Sequence, residues 1–281
     1  GNYNSSASIG NKYLFLQAGG GKAESSQFYK NADNPDIFRQ SSSVFINSGL
    51  KVFSNIELKI SHLNNERKFE DYYLSDSAGS SYKINTLKIE TNKGRYGNLD
   101  LYISDQIING DEIISRNKLS RIDHKILTGF KYRKNLNKGY IIFNGDRSYI
   151  NADWKTNADN INLRREKFSF STAIGISQKK THKGFQIKDF TLSLNSNNVV
   201  DKNNSESNLL ENLKWQDSGA NFFFSAWDRL DNAIVYLYAN LGSNFRIPGI
   251  YERYAYAFRP SIFNDNSLLI ESKLMKEFGL K

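Results

Sequence analysis

The sequence predicts an all-β protein, an antiparallel transmembrane β-barrel wall with short turns at one rim and long loops at the other. Three observations lead there. Apolar and polar side chains alternate with a period of two, and the alternating runs are long. Tyr and Phe are abundant (16 and 19 of 281 residues) while Pro is scarce at 3. A period of two sends successive side chains to opposite faces of a sheet. Tyr and Phe suit a pleated surface, and amphipathic rings collect at membrane interfaces.

Taken in order, the first candidate strands fall near 2–9 and 12–21, where Gly19, Gly20 and Gly21 fit a strand end or a tightly curved wall. The next pair, 42–53 and 55–66, turns at Phe53–Asn55, and in it Ile56, Leu58 and Ile60 oppose Glu57, Lys59 and Ser61. Strands at 83–92 and 98–107 follow, with Leu99, Leu101 and Ile103 opposing Asp100, Tyr102 and Ser104. A hairpin at 123–134 and 139–149 turns at 135–138. The clearest alternation lies in 163–179: Phe168, Phe170, Thr172, Ile174 and Ile176 share one face, and Ser169, Ser171, Ala173, Gly175 and Ser177 the other. After 180–184 come 185–196, then 219–227 and 232–244 around 228–231, and finally 272–281. In 233–242, Val235, Leu237 and Leu241 share a face against Tyr236, Tyr238 and Asn240.

Several runs reach about nine to fourteen residues, against about five or six in soluble sheets. A tilted membrane strand needs about 9–11. Long connections are expected near 22–41, 67–82, 108–122, 150–162, 197–218 and 245–271, alternating with short ones, as the two rims of an outer-membrane barrel require. The faces bearing Phe168, Phe170, Ile174 and Ile176, and Val235, Leu237 and Leu241, are expected to meet lipid. No linker or fixed-length repeat divides the chain, so residues 1–281 read as one barrel domain. A soluble antiparallel sheet with one wet face gives the same alternation; strand length and loop asymmetry favour the barrel.

Bulk properties bound the function. Mean hydropathy is −0.58, and no apolar run approaches the roughly 18–20 residues of a spanning helix, while a barrel keeps mean hydropathy low because its strands alternate. There are no cysteines, which excludes disulfides, thiol catalysis and thiolate metal sites. The opening Gly-Asn-Tyr-Asn carries no charged and apolar leader pattern, so a secreted parent has lost one or the chain starts inside a longer protein. The net charge of +9 is scattered, with short clusters such as Arg164–Arg165 and Lys179–Lys180. Nucleic acid would call for a concentrated basic face, so no nucleic-acid partner is expected; anionic lipid headgroups or an anionic ligand fit the excess better.

Catalytic patterns are weak. His62, His124 and His182 sit on different hairpins and form no metal-ligand spacing. The run Gly19–Lys22 lacks the upstream Gly, the following Ser or Thr and the helix of a phosphate-binding loop. Glu70 and Asp71 have no evident apolar setting to shift a pKa for acid–base work. No catalytic residue, metal site or cofactor is assigned, and an enzyme is not expected.

Two segments near the end carry a family pattern. Residues 244–254 read Asn-Phe-Arg-Ile-Pro-Gly-Ile-Tyr-Glu-Arg-Tyr, and 268–280 read Leu-Leu-Ile-Glu-Ser-Lys-Leu-Met-Lys-Glu-Phe-Gly-Leu. They resemble the barrel signature of the TonB-dependent outer-membrane receptors: Phe-Arg-Ala-Pro, Leu-Tyr-Glu, a variable loop, Asn-Pro-x-Leu-x-Pro-Glu, and Glu-Leu-Gly-Leu. Phe245, Arg246, Pro248, Tyr251, Glu252, Leu268, Glu271, Glu277, Gly279 and Leu280 match, and the two glutamates keep the family's spacing. Asn266 and Ile270 stand where the family has proline. The direct match covers about the last forty residues.

The resemblance implies a 22-stranded barrel around an N-terminal plug, of which about thirteen strands are present here without plug or closing strands. It implies uptake of a scarce nutrient, such as a ferric siderophore or cobalamin, across the outer membrane of a bacterium. It also implies partnership with the TonB–ExbB–ExbD complex through the plug region, and surroundings of outer-membrane lipid and lipopolysaccharide. Arg246 with Glu252, Glu271 or Glu277 is expected to form a paired rim network, because a lumen-wall charge needs compensation, and Pro248 fits a strand exit. Loop aromatics and arginines are candidate ligand contacts: Tyr72, Tyr73, Tyr82, Trp154, Arg164, Arg165, Tyr254, Tyr256 and Arg259. Girdle and loop packing is the plainer role for any one of them. A passive porin-like channel, or a soluble all-β binding module or hydrolase with a dry core between two sheets, remain the other readings.

Overall fold

The computed structural model describes residues 1–27, 37–71, 76–91, 96–114, 117–157, 160–177, 186–204, 212–230, 233–250 and 271–280. Thirteen strands form one sheet, each hydrogen-bonded antiparallel to the next in sequence. They are β1 (Asn2–Gly10), β2 (Leu14–Gln27), β3 (Ile37–Phe53), β4 (Ile56–Asp71), β5 (Asp76–Thr91), β6 (Asn98–Ile114), β7 (Asn117–Leu136), β8 (Gly139–Thr156), β9 (Asn160–Ser177), β10 (Gln186–Asn203), β11 (Leu213–Leu230), β12 (Ala233–Arg246) and β13 (Glu271–Leu280). Among the described residues β1 and β13 each pair on one side only.

Register shows why this sheet is a membrane wall. Ile141, Ile174, Leu192, Phe222 and Leu241 are successive partners across β8–β12, so they share one face. Leu50, Leu58, Ile89, Leu101 and Phe130 do the same across β3–β7. These side chains are bare: Ile174 is 48% exposed, Phe168 57% and Leu237 39%. A contiguous apolar band of this extent is foreign to a soluble monomer and marks a lipid-covered surface. The expected faces of Phe168, Phe170, Ile174 and Ile176, and of Leu237 and Leu241, lie on it. Among the described residues no second sheet packs against them.

The strands run farther than apolar alternation indicated. Much of the expected loops at 22–41, 67–82, 108–122, 150–162 and 197–218 is strand: β6 continues to Ile114, β7 begins at Asn117, and β10 reaches Asn203. Only the parts outside these strands remain as connections. The physical reason is height. An 18-residue strand tilted by about 45° rises roughly 40 Å, beyond the roughly 25 Å apolar band. Above that band both faces meet water, so polar residues there continue the ladder without an alternating signal.

On the opposite face, large side chains give way to small and polar ones. Gly129 lies opposite Tyr102, Gly175 opposite Tyr140, and Gly279 opposite Tyr238. In each pair the ring lies over the glycine: a Cβ at Gly175 would fall 2.3 Å from Tyr140 Cζ, and one at Gly279 2.0 Å from Tyr238 Cε1. Gly19 and Gly20, which suggested a phosphate loop in outline, lie mid-strand in β2; a Cβ on Gly20 would meet the Ser43 carbonyl at 2.5 Å. This face is concave. The chain leaves β12 at Arg246, yet Ile250 is buried in a cluster with Leu119, Ala152, Trp154, Ile161 and Leu163 of β7, β8 and β9. Four residues span at most about 14 Å, so they cross the hollow of a curled sheet rather than follow its wall.

Candidate functional site at the loop end of the wall

The strand ends nearest 28–36, 72–75, 115–116, 158–159, 205–211 and 251–270 form one end of the wall, called the loop end here. Its inner face has two unlike halves. Across β7–β11 it is filled by the chain's own continuation. Arg165 on β9 is 6% exposed, and its Nε and Nη2 donate to the two carboxylate oxygens of Asp201 on β10, each at 2.6 Å. Its Nη1 donates to the carbonyl of Pro248 at 2.7 Å, and its guanidinium lies 5.4 Å from the Trp215 ring centroid. Every part of the cation is thus compensated, which a buried charge requires. Beside it Trp154 is 1% exposed and donates its indole N–H to Asp123 at 2.7 Å.

Across β2–β7 the same end is open. A cavity of about 660 Å³ is lined by Arg39, Arg67, Arg121, Glu112, Phe69 and smaller side chains such as Ser41 and Ser80. One register row supplies its floor: Ala23, Ser41, Arg67, Ser80, Gly110 and Arg121 are successive partners from β2 to β7. Arg39 and Phe69 belong to the neighbouring row, with the Arg39 guanidinium 5.8 Å from the ring centroid. Arg121 Nε is 3.4 Å from Asp123, which joins the cavity wall to the filled half. At the opposite, turn end the inner wall carries a wet ladder: Lys59 to Glu90 at 2.6 Å, Lys88 to Glu90 at 2.6 Å and Lys88 to Asp100 at 3.0 Å. Among the described residues no group of three His, Cys, Asp or Glu is arranged to hold a metal ion.

The candidate ligand contacts separate on this map. Trp154 and Arg165 are buried and held by hydrogen bonds within the wall. Burial and partners across strands, invisible in a single segment, decide this. Arg164 alternates to the outer face, its guanidinium 4.9 Å from the Tyr149 ring, so it does not line the lumen. Tyr82 faces the lumen and donates to Gln106 at 3.4 Å. Tyr72, Tyr73, Tyr254, Tyr256 and Arg259 lie outside the described residues, as do Tyr251, Glu252 and His182.

The motif residues divide similarly. Arg246 stands opposite Glu271 in the β12–β13 register. Glu277 is six positions away, opposite Asn240, and accepts a hydrogen bond from Tyr238 at 3.2 Å, so it belongs to a different contact. Phe245 stands opposite Ser272, and its ring Cδ1 would lie 3.5 Å from a Cβ on Gly219. Pro248 follows the end of β12, and its carbonyl is the one Arg165 holds. His62 and His124 lie on the outer face beside Asn85 (2.7 Å) and Asp105 (2.5 Å), a wall role as expected. Asp201, Trp215, Arg39, Arg67 and Arg121 were not singled out from the sequence. Only the register, which no local pattern encodes, brings them together.

No protein-family model matches the sequence, and no curated protein matches it. Solved structures do match. The copper transporter OprC superposes with a TM-score of 0.75 at 10% identity over 99% of this chain. The Serratia marcescens hemophore receptor HasR, solved with HasA and heme, gives 0.66 at 11% over 99%. BauA, the ferric preacinetobactin receptor of Acinetobacter baumannii, gives 0.63 at 12% over 99%. The chain has the barrel fold of the TonB-dependent receptors. It spans about half the length of these structures: 50%, 48% and 50%.

Proposed function

We propose that this chain is the wall of an outer-membrane receptor of the TonB-dependent type. In this reading it binds a scarce nutrient at the loop end, which faces outward from the cell, and imports it without chemical change. The supporting observation is the pairing of a continuous lipid-facing apolar band with a polar inner wall, in a meander that superposes on OprC over 99% of its length. The three similar structures carry copper-, heme- and siderophore-related names, so a metal-bearing nutrient is the class to try first. Energy comes from the TonB–ExbB–ExbD complex acting on a plug, lipopolysaccharide and lipid cover the outer face, and further strands pair with the free edges of β1 and β13.

Expression of the complete protein in a bacterium lacking its own receptors tests the reading. The protein should fractionate with the outer membrane, and accumulation of labelled metal chelates should stop when TonB is deleted. Uptake that persists at the same rate without TonB would replace the receptor by a passive porin-like channel.

A further inference from the structure

We propose that Arg164 on β9, Lys202 on β10 and Lys214 on β11 form an outward-facing site for the phosphate of a phosphorylated lipid in the outer leaflet. This rests on the part of the receptor reading that seats the chain in an outer membrane with its loop end outward. Register and alternation place the three side chains. Arg164 and Lys202 are direct partners across β9 and β10, and Lys214, opposite Val200, lies on the diagonal from Lys202. All three are exposed, and they alternate to the same face as Phe168, Phe170 and Leu194 of the lipid-facing band. Directly opposed residues on one face have Cβ atoms about 4.5–5.5 Å apart and diagonal ones sit about 7–8 Å apart, so the three cations form one compact group. Four residues separate Arg164 from Phe168, which is about 9 Å of height on a strand tilted by about 45°. That is about the depth of a headgroup layer.

Charge accounting on this face calls for an anion from outside the chain. Like charges placed directly opposite each other repel, and no described carboxylate pairs with Arg164, Lys202 or Lys214. The acids nearest Arg164 are engaged elsewhere. Glu166, two positions along β9, takes Arg147 Nη2 at 3.3 Å, and Asp153 on β8 accepts a hydrogen bond from Asn162. The direct partner of Arg164 on β8 is Asn151, and the outward neighbours of the two lysines include Val200 and Gln216, none of them charged. The Arg164 guanidinium lies 4.9 Å from the Tyr149 ring centroid, which orients it while leaving N–H groups at its edge for phosphate oxygens. A tyrosine beside cations at the edge of an apolar band is the composition of a membrane interface. The apolar side chains farther down the same face favour a lipid over a soluble anion. Phe168 is 57% exposed and Leu194 49%, a surface on which the acyl chains of the same molecule can lie.

The test titrates the complete protein, in non-ionic detergent, with diphosphoryl lipid A, with the same lipid stripped of phosphate, and with inorganic phosphate. Bound lipid is counted by native mass spectrometry. The diphosphoryl form should bind about tenfold tighter than the stripped form. Arg164→Gln combined with Lys202→Gln should abolish that preference. Lys83→Gln, which takes a charge from the same face four strands away, should change affinity by less than about twofold. Without lipid the double variant should unfold at the same urea concentration as wild type or a higher one, because a repulsive pair is gone; with diphosphoryl lipid A it should unfold at a lower one. A merely structural pair would lose stability under both conditions, which overturns the proposal. Heat-modifiable gel mobility checks assembly, and should the double variant not assemble, the unaltered protein decides through the two lipid forms. Equal affinity for both forms overturns the proposal, as does a phosphate preference kept by the double variant or equal weakening by Lys83→Gln. Inorganic phosphate binding as tightly as the lipid does the same, since the site would then be one for a free anion. TonB-dependent uptake without any phosphate preference sinks this inference and leaves the receptor reading standing. A phosphate preference with uptake indifferent to TonB does the reverse.

Discussion

The two halves of the loop end share a backbone pattern and a face, yet they treat arginine in opposite ways. On β9 a guanidinium is buried, bidentate to Asp201, and used to hold the carbonyl of Pro248. On β3 and β4, Arg39 and Arg67 stand exposed above serines, alanines and glycines. The difference is what fills the hollow. Where the chain's own Ile250 and large side chains expel water, a charge must be fully paired to persist. Where small residues leave space, a cation with no ion pair to a described residue stays hydrated. One wall thus carries a buried structural anchor and a pair of exposed arginines, separated by Asp123, which contacts both Trp154 and Arg121.

The contrast breaks most visibly at the anchor. Arg165→Ala leaves Asp201 buried without its cation and should cost about 3–5 kcal/mol, measured by urea unfolding of the full protein in lipid vesicles with tryptophan fluorescence. Replacing both partners by apolar residues, Arg165→Met with Asp201→Leu, should recover most of that loss. It should still free the Pro248 carbonyl, read as faster proteolysis after residue 248. A single variant as stable as the wild type would show that the pair is solvated and that the two halves do not differ as described.

The second test compares faces rather than halves. Ile174 lies in the lipid-facing row with Ile141 and Leu192, so Ile174→Arg should cost about 2–4 kcal/mol if near the bilayer midplane. Ser169 points inward and donates to Asn197, so Ser169→Arg should cost much less in the same assay. Equal losses would count against the assignment of outside and inside.

How much of this was legible in the sequence follows from the same physics. Alternation such as Phe168 to Ile176 is local, so strands and faces within the lipid band could be read directly. The strand extensions could not, because above the band Asp111 or Asn203 meets water on either face and carries no period-two signature. Trp154 and Arg165 were visible as residues suited to ligand contact, but their partners Asp123 and Asp201 are 31 and 36 positions away, and pairing them needs the register across hairpins. The cationic row was hidden for the same reason. Its residues are spread over six strands, and none of its segments is unusual alone. The motif glycine at 279 was recognisable by resemblance, whereas its cause, the Tyr238 ring laid over it, emerged only from the coordinates.

A pair of glycines compares the inner and outer faces at lower energy. Gly175 lies under the Tyr140 ring, whose hydroxyl is 3.1 Å from Thr191 Oγ1, so Gly175→Ala must displace the ring and should cost about 1–3 kcal/mol. Gly79, on the outer face opposite Lys68 and Asp111, has no atom within 4 Å of a new Cβ. Gly79→Ala should be neutral, or stabilise by about 0.4–1 kcal/mol through the unfolded chain. Unfolding midpoints in urea compare the two directly; a reversed order would mean that the outer site is packed and the ring mobile.

The smallest expected effect carries the sharpest contrast. Arg67→Gln should leave stability within about 0.5 kcal/mol, because an exposed side chain with no ion pair to a described residue has little folded-state interaction to lose. Removing a charge from a row that also holds Arg121 relieves some repulsion, so a small gain is as consistent as no change. Arg165→Gln, the same chemical replacement on the filled half, should be destabilising by several times that amount, since glutamine cannot reproduce three charge-assisted donors. Parallel unfolding curves for the two variants measure the contrast without any knowledge of the ligand. If Arg67→Gln proved as costly as Arg165→Gln, Arg67 would be an anchor like its counterpart, and the cavity would be a packed interface of the whole barrel rather than an open site.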